Sequence, residues 1–277
     1  MPRLTSSSLV RCLLFVTVLA LCTASVARAD LKLVAKQTTN GNTTSSTTYY
    51  KGSKIRIESG KRGAIIMDGK TQKMYSLNME NKTYQLINFQ EMANNPMMKM
   101  MDVKTDVALK PGGKTKTIVG KPTKNYLYTA SIKMSFNKEM MANMAKQNGG
   151  QVPQNLPQLP SFKITGEMWV TEKVNLPPGS VAAAMTSLSA VPGMKPLMEK
   201  FRAIKGVALE TTQTVEILGG QSSGQNQKTA TVTEAISETA LPDSLFTVPA
   251  DFRKVQPMQP GMMGAGGRPG GRPAPKN

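Results

Sequence analysis

Methionine gives this chain its most unusual chemistry. There are 20, and many fall in three groups: Met92, Met97, Met98, Met100 and Met101; Met140, Met141 and Met144; and Met185, Met194 and Met198. Thioethers are flexible and polarizable, so a group of them lines apolar surfaces that adapt to differently shaped ligands. They are also soft ligands suited to copper(I). Met97, Met98, Met100 and Met101 are the candidate copper set. No histidine exists to help them, and the two cysteines, Cys12 and Cys22, are far upstream. Ordinary core filling is the third use such residues have.

Other reactive patterns lack their companions. Gly220-Gln221-Ser222-Ser223-Gly224 spells G-x-S-x-G, but a nucleophile elbow needs a histidine partner and a strand–turn–helix setting. Ser135 and Lys138 spell S-x-x-K without its companion motifs. Gly112-Gly113-Lys114-Thr115 imitates half a phosphate loop, with Ala108 where the first glycine belongs. The commonest general base and metal ligand is missing altogether. The expectation is a protein that is not an enzyme and needs no cofactor.

The N-terminus sets the compartment. Arg3 and Arg11 precede an apolar run from Cys12 to about Val26, and Ala27-Arg28-Ala29 supplies an A-x-A exit. That layout is a secretory signal peptide cleaved near Ala29. The run is short of the ~20 apolar residues of a membrane span. Leu21 is bulky where a lipid-bearing Cys22 would want a small residue. Residues 1–29 are thus read as leader, 30–256 as one β-rich ligand-binding domain, and 257–277, rich in Met, Gly and Pro, as a disordered basic tail. Both cysteines would leave with the leader, so no disulfide is expected.

Net charge is +18, or +15 once the three leader arginines are removed. Such a balance suits anionic envelope lipids or other acidic partners. Export and few aromatic residues argue against nucleic acid.

The elements that must position these residues are mostly strands. Leu31 to Leu86 alternates at period two. Strands are expected at Leu31–Ala35, Tyr50–Glu58, Ala64–Met67, Met74–Leu77 and Thr83–Ile87, with a hairpin turn at Asp68-Gly69. Pro96 breaks any helix over 89–101 into pieces. Lys110-Pro111-Gly112-Gly113 reads as a loop, and Thr115–Val119 pairs with Asn125–Met134. Asn137 caps a helix to Gln147 that carries Met140, Met141 and Met144 on one side. A loop covers 148–160, a strand 162–173 around Trp169, and helices 180–188 and 195–203. Gly206–Leu218 and Lys228–Ile236 form a hairpin. The fold class is mainly β with α insertions: a curled antiparallel sheet of eight or more strands, an unclosed barrel covered by short helices.

Five ordered segments resemble an exported bacterial family, domain of unknown function 4412. They are Tyr50–Glu58, Met67-Asp68-Gly69 with Met74-Tyr75, Thr117–Pro122, Gly166–Thr171 and Phe246–Phe252, spanning roughly 31 to 255. That family is similar to the periplasmic lipoprotein carriers, the LolA- and LolB-like fold. The resemblance implies an unclosed barrel with helices plugging its mouth, and a carrier role for a lipid or acylated protein. The candidate apolar lining is Ile57, Ile66, Tyr75, Leu86, Tyr126, Tyr128, Trp169, Met98, Met101, Met141 and Met144, with basic residues receiving an anionic head group. Alternatives are thioether-based copper handling and a non-catalytic envelope interaction or stress protein. The location expected is periplasmic or secreted, with no membrane span in the mature chain.

Overall fold

The computed structural model describes residues 30–95, 99, 101–147, 149–151, 159, 161–180, 185, 189, 193–219, 224 and 226–256. The leader, the tail, Met97, Met98, Met100 and most of the expected 148–160 loop and 180–188 helix lie outside these residues.

Among the described residues twelve strands form one sheet. In chain order they are β1 (Leu31–Thr39), β2 (Asn42–Lys51), β3 (Lys54–Ser59), β4 (Gly63–Asp68), β5 (Lys73–Asn78), β6 (Thr83–Asn88), β7 (Met101–Ile118), β8 (Lys121–Phe136), β9 (Ser161–Thr171), β10 (Val207–Leu218), β11 (Asn226–Glu238) and β12 (Arg253–Lys254). The spatial order is β12-β6-β5-β4-β3-β2-β1-β11-β10-β9-β8-β7. Every pairing is antiparallel except β12 with β6. Among the described residues the sheet curls but does not close, because its terminal strands, β12 and β7, do not pair. Among the described residues the helices with full bounds are α1 (Phe89–Asn94), α2 (Lys138–Gln147) and α3 (Lys195–Arg202), and Asp243–Phe246 forms a 3-10 turn.

Local chemistry explains most of the punctuation. Asn78 Oδ1 accepts from the Glu80 and Asn81 amides, turning β5 into β6. Asn88 accepts from the Gln90 and Glu91 amides and donates to the Glu91 carboxylate, capping α1. Asn137 accepts from the Met140 amide at 2.8 Å, the expected cap of α2. Asp68-Gly69 opens the β4–β5 hairpin, with the Asp68 carboxylate accepting from the Lys70 amide.

Three sequence expectations need correction. Tyr50–Glu58 is not one strand: Gly52, at a φ of +53°, turns the chain between β2 and β3. The Thr- and Ser-rich Asn42–Thr48 stretch, unassigned from sequence, is most of β2. It is held because β-branched threonines favour the pleated backbone even without apolar alternation. Lys110-Pro111-Gly112-Gly113 is not a loop but a bulge inside the 18-residue β7, where register shifts between Pro111 and Thr115. Proline fits there because β7 is a terminal strand and Pro111 sits where the register shifts into the bulge. Asn125 plugs the bulge: it is buried, accepts from the Lys114 amide at 2.8 Å and donates to Glu167 at 2.7 Å.

The core is divided. One group gathers Leu31, Leu33, Ile118, Trp169, Val174, Val207 and Leu209, with Tyr50 packed against it. Burial pushes the Tyr50 phenol up to about 12. A second group joins Tyr128, Met168 and Val170 to Phe201 and Ile204. A third joins Ala130 to Leu197 and Met198 of α3. Each of those two α3 side chains contributes roughly 1.5–3 kcal/mol on burial. The last, Ala64, Ile66 and Leu77, is capped by Phe252.

Gly166 marks a point of close contact. It lies opposite Tyr128 across the β8–β9 ladder, and a Cβ there would come within 2.4 Å of the Tyr128 ring and 2.7 Å of the Thr212 carbonyl oxygen. The ring has no room to yield: Phe201 stacks edge-on at 5.4 Å and the hydroxyl donates to Gln213 at 3.1 Å. Gly166→Ala should therefore lower unfolding stability by about 1–3 kcal/mol, read from urea denaturation. An unchanged midpoint would mean that the ring packs elsewhere.

Candidate functional site

Strand register determines which side chains can share a surface, because alternate residues face opposite ways. Across the N-terminal wing, β2 to β6, one row runs Tyr49, Arg56, Ile66, Tyr75, Leu86. Three of the expected lining residues therefore align: Ile66, Tyr75 and Leu86. Their face is covered by the segment 239–256. Ile66 is 1% exposed, and Phe252 packs against its group.

That covering segment is tied down by charge as well as by apolar contact. Arg56, 5% exposed, donates from Nη1 to the Leu245 carbonyl at 2.9 Å and from Nε to Glu58 at 2.7 Å. The Tyr49 hydroxyl also donates to Glu58, and burial followed by that carboxylate pushes the phenol up. Lys51 reaches Asp243 at 3.0 Å, Asp30 at 3.7 Å and the Leu241 carbonyl. Lys82 pairs with Asp251 at 2.9 Å.

Ile57 lies on the opposite face of the wing. There two adjacent rows run Tyr50, Ile55, Met67, Met74, Ile87 and Thr48, Ile57, Ile65, Ser76, Gln85. Tyr50 packs on the first core group, so the apolar surface continues outward from packed core. Ile57, Met67, Met74 and Ile87 are half-buried and Ile65 is 36% exposed. None of the five is among the buried core groups.

Tyr126 and Tyr128 share a face of β8 and pack with Met168, Val170, Phe201 and Ile204. Trp169 is Met168's neighbour on β9 and points to the other face. The Lys116 ammonium sits 4.0 Å from the centre of its ring and pairs with Glu210 at 2.7 Å. The structure thus distributes the aromatic candidates among separate packed groups.

Met101 opens β7 opposite Phe136 and is half-buried. Met141 and Met144 lie on α2, which buries no residue fully. They enter different clefts: Met144 joins Met140, Asn137, Glu139 and Lys99, while Met141 faces the end of β8. Among the described residues no group of three or more His, Cys, Asp or Glu side chains could hold a metal, and no helix is long and apolar enough to cross a membrane.

The cleft at Met141 was not read from the sequence. β8 pairs with β9 only as far as Ile132 opposite Phe162, and runs on to Phe136. The step so formed opens a cleft of about 570 Å³, with Met134, Phe136, Met141, Leu159 and Leu218 as its apolar wall and Lys133 as its charged lining residue. Sequence alternation could have placed Met134 and Phe136 together, but the step depends on where β9 begins.

No family model matches this chain. No curated protein matches it either. The membership in domain of unknown function 4412 suggested by sequence is therefore not shown. Among solved structures, the chain is similar to a DUF1329 family protein from Desulfovibrio piger, at 10% identity and a TM-score of 0.28, covering 80% of this chain and 91% of that one. At that score the likeness bears on neither fold nor function; what stands is a mainly β chain folded as one large, curled and unclosed antiparallel sheet with few helices.

Proposed function

We propose that this is an exported, non-catalytic binding or carrier protein for an apolar ligand, such as a lipid or the acyl chain of a lipoprotein. The observation that carries this reading is the open apolar face of the wing. Ile57, Ile65, Met67, Met74 and Ile87 form a contiguous strip on β3–β6 that continues from packed core yet stays outside it. Polar residues normally occupy a sheet face turned to water, so such a strip marks a surface that is covered in use. Two thioethers within it suit ligands of varied shape. The secretory leader and basic charge support a setting beside anionic envelope lipids.

The test is native mass spectrometry of the gently purified full chain, followed by uptake of a fluorescent fatty acid. Ile65→Asp places a charge on the most exposed residue of the strip and should weaken uptake by about tenfold or more, since burying an unpaired carboxylate costs well over 1.4 kcal/mol. Circular dichroism should be unchanged. No co-purifying lipid and equal uptake by wild type and variant would overturn the reading.

A further inference from the structure

The geometry points to the class of ligand that the wing strip takes: a lipid whose head is uncharged, glycerol-sized and hydroxyl-bearing, as in a monoacylglycerol. This rests on the reading of the strip as the binding surface and adds the head group to it. Charge is segregated across these strands. β2–β6 hold six charged residues, Lys51, Lys54, Arg56, Glu58, Asp68 and Lys73, and the register turns all six to the face of Ile66. In those strands the face of the strip carries none, although the chain has a net charge of +18. Its one ionisable group, the Tyr50 phenol, stays neutral because burial pushes it up to about 12. The basic residues expected to receive an anionic head are thus on the wrong side of these strands. A carboxylate or phosphate laid on the strip would lose water and meet no cation from the sheet.

The same face grades from apolar to polar along the strands. The row from Tyr50 to Ile87 is the apolar one. At the ~4.8 Å spacing of neighbouring strands its five positions make a row about 19 Å long, on which an acyl chain can lie across the strands. The row from Thr48 to Gln85 is mixed. A third row, Ser46, Ser59, Gly63, Asn78, Thr83, has no apolar side chain. At that polar end a cleft of about 370 Å³ is lined by Gly63, Ser76, Asn78, Thr83 and Gln85, with Arg62 from the β3–β4 turn and Val255 beside β6. Leu77 and Tyr84 also border it, but their side chains belong to the core group on the other face. The volume is near the lower end for small-molecule sites. Side-chain hydroxyls and amides both donate and accept, which matches an alcohol head that does the same. Arg62 is the cationic residue in that lining, and Glu80 engages it at 3.0 Å. Lys82, ahead of Thr83, is engaged by Asp251.

Binding of monolauroylglycerol, laurate and methyl laurate to the full chain is measured by titration calorimetry, with laurate ionised and with high salt to screen exposed charges. Wild type should bind monolauroylglycerol about tenfold or more tightly than laurate. Gln85→Leu should weaken monolauroylglycerol about fivefold, the worth of one neutral hydrogen bond, and leave methyl laurate, which has the same chain and no hydroxyl, unchanged. Ser76→Ala, at the cross-strand neighbour of Gln85, should do the same, and an unchanged thermal midpoint verifies the fold of each variant. Replacing both turn cations, Lys61→Gln with Arg62→Gln, should leave the order of the three ligands as it is. Laurate bound as tightly as monolauroylglycerol, or methyl laurate weakened as much as monolauroylglycerol by Gln85→Leu and Ser76→Ala, would overturn the neutral head while leaving the strip a lipid site. Failure of all three ligands to bind would overturn the reading of the strip, and the head group with it.

Discussion

Phe246→Ala is expected to remove about 3–5 kcal/mol of stability. Phe246 is buried in the 3-10 turn that packs on β3, and it anchors the segment 239–256 across the wing. Truncation leaves a hole that a short, hydrogen-bonded turn cannot collapse to fill. At the size of this chain the thermal midpoint should fall by roughly 10 °C, measured by calorimetry or near-ultraviolet circular dichroism. The exposed neighbour Thr247→Ala is the control and should stay within about 0.5 kcal/mol of wild type. A Phe246→Ala midpoint equal to that of Thr247→Ala would show that the segment is an ornament rather than a part of the fold.

Arg56→Ala should cost about 2–4 kcal/mol, for a different reason. The guanidinium is nearly inaccessible and serves two acceptors, the Glu58 carboxylate and the Leu245 carbonyl. Removing it strands both beneath the covering segment. Glu58 is partly exposed, so water recovers some of its charge, and the cost is set below that of a fully enclosed pair. The double variant Arg56→Met with Glu58→Leu should regain much of the loss, because no charge then remains to be solvated. Urea titration of Arg56→Met, Glu58→Leu and the double variant closes the cycle. If the double variant were as unstable as Arg56→Ala, the ion pair would not be what holds the segment, and the Leu245 contact alone would have to explain the cost.

These two residues also show what a sequence reader could and could not see. The Asp68-Gly69 turn and the Asn137 cap were legible, because Asp68 and Asn137 act on backbone amides two or three residues away; the Asn88 cap emerged only in the structure. The mainly β character was legible from alternation. The pairing of residues into one lining was not. Ile57 and Ile66 looked equivalent, yet register sends them to opposite faces, and one of those faces is closed by a segment some 190 residues downstream. One signal did exist. Ala64-Ile65-Ile66-Met67 is an unbroken apolar run, which marks a strand with something apolar on both sides rather than a half-solvated one. The β8–β9 step was invisible for another reason: strand ends are fixed by competition between ladder bonds and the flanking chain, and no single residue announces them.

The position of β1 has a consequence for the life of the polypeptide. This strand lies mid-sheet between β2 and β11, so Leu31 pairs with Tyr50 on one side and Glu238 on the other. The second partner is synthesised about 200 residues after the first strand. A ribosome-bound intermediate can assemble the early hairpins but must leave the far edge of β1 vacant until β11 has been made. Folding by such distant closure is slow, which leaves the unpaired edge of β1 open to chaperones for a long interval.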